Sequence, residues 1–565
     1  MTQSTRFHGG IRGADTRKRS SQFEGRFGRI FRSLPAAQSD DDDLVLLAQP
    51  GNDDREDAML SSPEADEHGK PIATPETELD SEENFDIPAG YTYLGQFIDH
   101  DISFDPISSL DKLNDPEALT DFRTPRLDLD CLYGRGPDDQ PYMFDFSDRS
   151  RAAKFALGQV LTFNGHASPS HDLARLSGRA VIGDKRNDEN VIVSQLHGSL
   201  LKFHNRLVEL MPAGTPFEKV QQQVQWHYQY MVINDFLPRI CGANVVKAVL
   251  PHFRSGHSIF EARPQLAFYR WRNEAFMPIE FSAAAYRFGH SMVRPVYRLN
   301  TQLDMGGPSV GEDASLQGRN LIFAGVSSRS LNGFKLFPRE WAIEWRLFFG
   351  NTDRRPSHQG KGRVQPAYKI DASLVNPLGF LPEFAGDDLP PPDRITAGNL
   401  QASIRPGQVG NLALRNLRRG VAMGLPSGQD VARAMALTPL TGAHVLIGKA
   451  AFEGTELQAR PITEVAPNLA QQTPLWAYVL AEATAQWHDE VKRRHLSGEA
   501  ANLVGTRLGP VGGRIVAETL IGLILADSHS FLAQDPNWLP WAGAGVAAAD
   551  PDFTMPKLLA VAGVM

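Results

Sequence analysis

From Ile87 to the C-terminus, apolar residues recur mainly at intervals of three and four, the spacing that turns one face of an α-helix toward a core. The clearest stretch is Phe217 to Ile240, where Val220, Val224, Tyr228, Val232 and Phe236 stand four apart. One long amphipathic helix is predicted there. Val191 to Met211, Ile279 to Val296, Gln429 to Met435, Pro474 to Arg493 and Gly513 to Ala533 carry the same spacing and predict further helices. The alternation that marks half-buried strands is scarce. Gly134 to Pro141 and the prolines Pro390 to Pro392 read as connections, and no internal repeat is present. Residues 87–565 therefore read as one large, mostly α body without an interior linker.

Composition bounds this picture without altering it. The chain has 565 residues, 42% hydrophobic and 22% charged, an ordinary globular balance that excludes collagen-like and wholly disordered readings. Only two cysteines occur, Cys131 and Cys241, so a disulfide framework and a zinc-finger spacing are both excluded. The N-terminus is polar and basic and lacks the apolar core of a secretory signal. The longest apolar run, Leu520 to Ala526, is far short of the roughly 20 residues of a membrane span. The expectation is a soluble protein without a membrane span, cytoplasmic or exported by a signal-independent route.

The net charge is confined to one end. Residues 1–39 carry eight basic and two acidic side chains, and residues 40–86 carry seventeen acidic ones against Arg55 and Lys70, so the two stretches hold +6 and −15 of a total of −9. Residues 87–565 are neutral overall, which gives no sign of a nucleic-acid partner. Residues 1–86 read as a charged, largely disordered N-terminal arm, interrupted by a short apolar patch at Leu44 to Leu47.

Three clusters carry candidate chemistry. In Tyr91 to Asp101, an apolar segment holds Asp99, His100 and Asp101 in a row, and buried charge is costly unless paired or bonded to a metal. On a helix, Gln96, Asp99 and His100 fall within about 100° of one another while Asp101 points roughly 140° from Gln96. Either two polar faces address two different groups, or the segment is a capped helix end with a satisfied core histidine. In Gly183 to Glu189, Arg186 and Glu189 are three apart and can share a cleft at a helix start. His197 and His204 follow, two turns apart, and read as packing residues for lack of carboxylate partners. In Ala284 to Pro295, His290 follows Gly289, and a glycine in a helix costs about 1 kcal/mol against alanine. Close approach of a planar group would explain it, and a ligating histidine needs an acceptor for its other N–H.

Together these segments resemble the animal-type haem peroxidases of the peroxidase-cyclooxygenase superfamily, in a bacterial-looking form. Gly95-Gln-Phe-Ile-Asp-His-Asp101 is similar to the distal helix of that family, Gly183-Asp-Lys-Arg-Asn-Asp-Glu189 to the segment with the distal arginine, and Tyr286-Arg-Phe-Gly-His290 to the proximal helix. The resemblance implies a single large helical haem peroxidase domain over 87–565. It implies His100, Arg186 and Gln96 as catalytic residues, His290 as axial iron ligand, and Asn416 accepting from His290. Asp99 and Glu189 would be the carboxylates through which haem b is ester-linked, with Arg287 also in the cofactor site. Arg123 to Gly134 resembles the family's calcium loop, with Asp101, Thr124, the Arg126 carbonyl, Asp128 and Asp130 as ligands of a Ca2+.

Two departures narrow the reading. Asn190 stands where a third, sulfonium link would need methionine, so that link is excluded. Arg287 stands where cyclooxygenases carry their radical tyrosine, although Tyr286 is adjacent. The implied activity is reduction of hydrogen peroxide through a ferryl intermediate, with a halide, thiocyanate or a small phenolic donor as reducing substrate. A haem-dependent fatty-acid dioxygenase using Tyr286, and a non-catalytic adhesion protein on the same scaffold, are the alternatives.

Overall fold

The computed structural model describes residues 27–51, 56–61, 81–103, 125–163, 166–272, 274–303, 320–322, 330–350, 352, 362–379, 381, 410–541 and 549–565. Its main helices are α1 (Asp41–Ala48), α2 (Gly90–Ile102), α3 (Val191–Leu210), α4 (Phe217–Met231), α5 (Leu237–Cys241), α6 (Leu412–Ala422), α7 (Gly428–Ala434), α8 (Leu475–Arg494) and α9 (Pro510–Ala526). Strands are short and pair only in twos among the described residues. They include β1 (Phe27–Gly28), β2 (Glu83–Pro88), β3 (Leu157–Phe163), β4 (His166–Leu173), β5 (Met277–Pro278) and β6 (Pro366–Tyr368), with β1 parallel to β5 and antiparallel pairs β2–β6 and β3–β4. Among the described residues, the β3–β4 hairpin is the one extended ladder. It packs on α3, and its irregular register explains why simple alternation did not announce it.

The apolar spacing works as read where helices are long. α3 begins at Asn190, whose side chain accepts from the N–H groups of Ile192 and Val193, an N-cap that satisfies two otherwise orphan donors. The predicted Phe217 to Ile240 helix forms as α4 and α5 joined by one π-helical turn, Val232–Phe236. That turn turns Asp235 inward to accept from the Tyr91 hydroxyl (2.7 Å), the Arg239 guanidinium (2.7 Å) and the Met555 N–H (2.9 Å). Tyr91 belongs to α2, so the inserted residue ties the two helices together. α8 packs on α9, and the Glu482 carboxylate of α8 accepts from the Val511 and Gly512 N–H groups at the start of α9.

Two predicted helices come out differently. Ile279 to Val296 is a short α-turn, Ile279–Ser282, a break at Ala284 (φ −136°, ψ −79°) and a 3₁₀ helix, Ala285–His290. Pro295 cannot continue a helix. Tertiary bonds hold the rest: Glu280 accepts from the Ile30 and Phe31 N–H groups (3.1 and 2.9 Å), and the Tyr286 hydroxyl donates to the Gly95 carbonyl (3.2 Å). The Gly513 to Ala533 helix starts earlier, at Pro510, and ends at Ala526, after which Ser530 caps a new turn, Phe531–Gln534.

The folded body also begins earlier than residue 87. Phe27, Phe31, Leu44 and Leu47 are buried in the main core. α1 lies on α6, where Asp41 pairs with Arg418 and the Ala48 carbonyl accepts from Asn411. The apolar patch Leu44 to Leu47 is thus the buried face of a helix whose acidic residues occupy its first turn, where the helix dipole favours them.

Candidate active site

A cavity of about 740 Å³ opens between α2, the Lys185–Asn190 segment, the Ala285–His290 turn and α6. Pockets that hold cofactors run from roughly 300 to 1,000 Å³. Gln96, Asp99, His100, Arg186, Glu189, Tyr286, Arg287, His290 and Asn416 all line it. Residues read from four distant parts of the sequence therefore share one space.

One cluster is built on α2. The helix has a 3.6-residue repeat, so Gln96, Asp99 and His100 share the face toward the cavity while Asp101 leaves it, as the spacing predicts. His100 is 5% exposed, and its Nδ1 lies 2.8 Å from Asn187 Oδ1. Its Nε2 lies 3.8 Å from Glu189 Oε1. Burial, and secondly the Arg186 charge, lower the His100 pKa from 6.5 to about 4, so the ring is neutral near pH 7. Gln96 donates through Nε2 to Glu189 and accepts through Oε1 from Asn190 Nδ2. Asn190, excluded as a third haem link, thus caps α3 and bridges to Gln96. The Ser103 hydroxyl donates to the Asp99 carbonyl and carboxylate.

Arg186 is held differently from a free fork. Its guanidinium binds Asp184 (2.8 Å) and donates to the carbonyls of His100 (3.0 Å) and Ser103 (2.6 Å). It caps the end of α2 and places its charge beside His100. The segment carrying it is anchored from below, because Asp188 and Asp172 both pair with Arg175, one residue pair on each side of a buried guanidinium.

A second cluster surrounds His290. Asn416 reaches it from α6, with Nδ2 placed 2.7 Å from His290 Nδ1. The contact pairs Asn416 with His290 as expected, and which of the two donates depends on the ring tautomer and on the turn of the amide. A half-turn of the amide exchanges the two atoms without other movement. Burial, and secondly Arg287, lower the His290 pKa to about 3. Arg287 donates from Nε to the Ser282 carbonyl. A Cβ at Gly289 would meet nothing within 4 Å, so the glycine borders open space in the cavity wall.

Sequence reasoning missed four contributors. Arg415 and Arg419 also line the cavity from α6, one residue before and three after Asn416, and add positive charge there. Asn187 and His197 lie behind His100. Of the two histidines read as packing residues, His204 is that: it accepts from the Tyr133 hydroxyl and donates to the Ala153 carbonyl. His197 instead joins the His100 network.

A haem fits the residues present: two neutral histidines, carboxylates at Asp99 and Glu189, arginines, and an open wall at Gly289 within one cavity. The calcium ligands do not assemble in the same way. Thr124 lies outside the described residues. Asp101 accepts from the Leu129 N–H (3.2 Å), Asp128 from the Asp130 N–H (3.1 Å), and the Asp128 carbonyl from Gln225 (2.6 Å). Arg126 lies 4.0 Å from Asp527. The loop closes on Asp101 through protein bonds, and among the described residues no three His, Cys, Asp or Glu side chains gather to hold a metal ion. Among the described residues, no helix is long and apolar enough to cross a membrane.

Part of the chain is similar to known proteins. The animal haem peroxidase family matches residues 107–324, a stretch that contains Arg186, Glu189 and His290. A peroxidase-like protein of Margaritifera margaritifera is 32% identical over 258 residues, which is 43% of this chain and 26% of that protein, so only about a quarter of that relative's length is matched. Peroxidase A from Dictyostelium discoideum superposes with a TM-score of 0.47 at 14% identity, covering 93% of this chain and 99% of that one. A fatty acid alpha-dioxygenase of Oryza sativa superposes with a TM-score of 0.45 at 12% identity, covering 94% and 85%. Residues 107–324 of the chain are thus similar to the animal haem peroxidase family, and its matched sequence relatives include proteins named as peroxidases.

Proposed function

We propose that this protein is a haem peroxidase that reduces hydrogen peroxide and oxidises a halide, thiocyanate or a small phenolic donor. The observation that carries the reading is that one cavity is lined by both His100 and His290, each neutral and each hydrogen-bonded at Nδ1. Haem, held by His290 and flanked by Asp99 and Glu189, would supply the iron that cleaves the peroxide bond and the oxidising equivalents passed to the donor. His100 takes a proton from one peroxide oxygen at Nε2 and returns it to the other, as base and then acid. Its pKa of about 4 leaves it unprotonated near pH 7 and ready for the first step. Arg186, whose guanidinium is fixed by Asp184 and two carbonyls, places positive charge where negative charge develops on the departing oxygen. Gln96, held between Glu189 and Asn190, orients the small molecules beside His100.

Asp99 and Glu189, both on the cavity wall, are the groups that would esterify haem methyls. Haem that extracts completely into acidified organic solvent overturns both links. Calcium at the Asp101 loop is tested separately by metal analysis of the purified protein. The central test is the absorption spectrum of haem-loaded protein before and after peroxide, then turnover with bromide, iodide, thiocyanate and a phenol. A spectrum that peroxide leaves unchanged overturns the proposal.

Tyr286 supports a second reading. Its hydroxyl donates to the Gly95 carbonyl, its ring stacks on Phe281 (4.5 Å) and it lines the cavity, a placement open to a radical tyrosine in a fatty-acid dioxygenase. Oxygen uptake with linoleate that disappears in Tyr286→Phe would favour it.

A further inference from the structure

Behind His100 lie two buried side chains, Asn187 and His197, that the catalytic reading does not use. His100 Nδ1 is 2.8 Å from Asn187 Oδ1, and Asn187 Nδ2 is 3.1 Å from His197 Nδ1. Asn187 and His197 are both 0% exposed, so water does not compete for these bonds. An amide oxygen carries no hydrogen and an amide nitrogen no usable lone pair. The 2.8 Å contact is therefore a hydrogen bond only if His100 carries its hydrogen on Nδ1. The 3.1 Å contact is one only if His197 lacks a hydrogen on Nδ1. A neutral imidazole has one N–H, so each bond assigns the whole ring.

The consequence reaches the cavity. With its hydrogen on Nδ1, His100 presents a lone pair at Nε2, the atom on the Glu189 side. If the amide turned over, both rings would have to exchange tautomers together, and His100 would present an N–H to the cavity in place of a base. His197 touches nothing in the cavity but is the second partner of the amide, its Nδ1 accepting from the amide nitrogen in one state and donating to the amide oxygen in the other.

We propose that Asn187 is the positioning residue that holds His100 as the Nδ1–H tautomer, and that His197 holds the Asn187 amide in the orientation this requires. The proposal deepens the peroxidase reading, since it rests on His100 being the base, but its first test does not depend on that chemistry. Two-bond ¹H–¹⁵N couplings of ¹⁵N-histidine-labelled, haem-free protein report the tautomer of each ring, with His100→Gln and His197→Gln identifying the two sets of signals. The expected result is Nδ1–H for His100 and Nε2–H for His197. An Nε2–H His100 in the unmodified protein overturns the proposal, and this measurement needs no variant at Asn187.

The second test uses haem-loaded variants. Asn187→Leu removes the amide at similar volume, and the rate of the peroxide-induced spectral change should fall at least tenfold. Asn187→Asp keeps an acceptor at His100 Nδ1, retains the Nδ1–H tautomer and should recover most of that rate. Equal rates in Asn187→Leu and Asn187→Asp overturn the positioning role. Expected tautomers in a protein that peroxide leaves unchanged would instead support the tautomer assignment and overturn the peroxidase reading.

Discussion

At the scale of single residues, each histidine of the cavity is assigned by its neighbours rather than by its own identity. His100 is buried and His290 half-buried, both are neutral, and one meets Asn187 through Nδ1 while the other meets Asn416 on α6. Their substitutions should therefore separate. In His100→Ala, haem stays bound while the rate of the peroxide reaction falls by about 10² to 10⁴, the usual worth of a general acid–base. In His290→Ala, the haem spectrum itself changes and the cofactor is lost on gel filtration. The reverse pattern, haem lost from His100→Ala and kept by His290→Ala, overturns the assignment of the two faces. These residues were legible in the sequence because His100 and His290 stand in quoted motifs. Asn187 was not singled out, although it lies inside the same motif, because its partners His100 and His197 lie 87 and 10 positions away and only folding brings both to it.

At the scale of elements, the site depends on where helices start and where they are interrupted. Asn190 sets the start of α3 and also reaches Gln96, so one residue joins the cap to the cavity. Asn190→Ala should cost about 0.5 to 2 kcal/mol of stability through the lost cap, measured by chemical denaturation, and should free Gln96 as well. An unchanged midpoint would show that the cap contributes nothing. The close approach of α2 to its neighbours leaves no room at Gly90, where an added Cβ would lie 2.5 Å from Phe349 and 2.7 Å from the Phe348 carbonyl. Gly90→Ala should shift α2 and weaken haem retention, since the obstructing backbone cannot yield as a flexible side chain would. Haem affinity equal to that of the parent protein would overturn this. The long helices were predicted from apolar spacing. The 3₁₀ turn ending at His290 was not, because bonds from Glu280 to Ile30 and Phe31, and from Tyr286 to Gly95, override the local helical preference.

At the scale of the whole molecule, the N-terminal stretch and the buried histidines set conditions on the site. Arg29 donates to the Met423 and Gly424 carbonyls at the end of α6, the helix that carries Asn416, and Phe27 reaches the cavity wall. A chain beginning at residue 51 should lose several kcal/mol of apolar burial from Phe27, Phe31, Leu44 and Leu47, and with it thermal stability and haem retention. A melting temperature equal to that of the full chain would show these contacts to be dispensable. Burial lowers His100, His204 and His227 to about 4 and His197 and His290 to about 3. Their pKa in the unfolded chain is 6.5. Between that value and the folded ones, the unfolded state binds protons that the folded state refuses, so stability rises with pH and is lost as pH falls through this window. Each group contributes up to about 1.4 kcal/mol per pH unit. Burial raises Glu482 to about 8 and also raises Asp371, Glu280 and Asp188, and these four act in the opposite sense but are outnumbered. The denaturation midpoint of haem-free protein should fall from pH 6.5 toward pH 4, and a flat or rising midpoint would contradict it.

What the sequence determined by itself was the helical character of the body and the types of residue that could carry its chemistry. Both depend on short-range periodicity and on side-chain identity: four-residue apolar spacing in α4, and carboxylate, histidine and amide placed on one face of α2. What only the tertiary structure decided was which atom meets which. It made a buried helix of the acidic arm at Asp41–Ala48, a 3₁₀ turn of the segment before His290, a helix cap of Arg186 and a link between two histidines of Asn187. Each of these rests on bonds between residues far apart in the chain or on the loss of water around a polar group, and neither is written in local spacing.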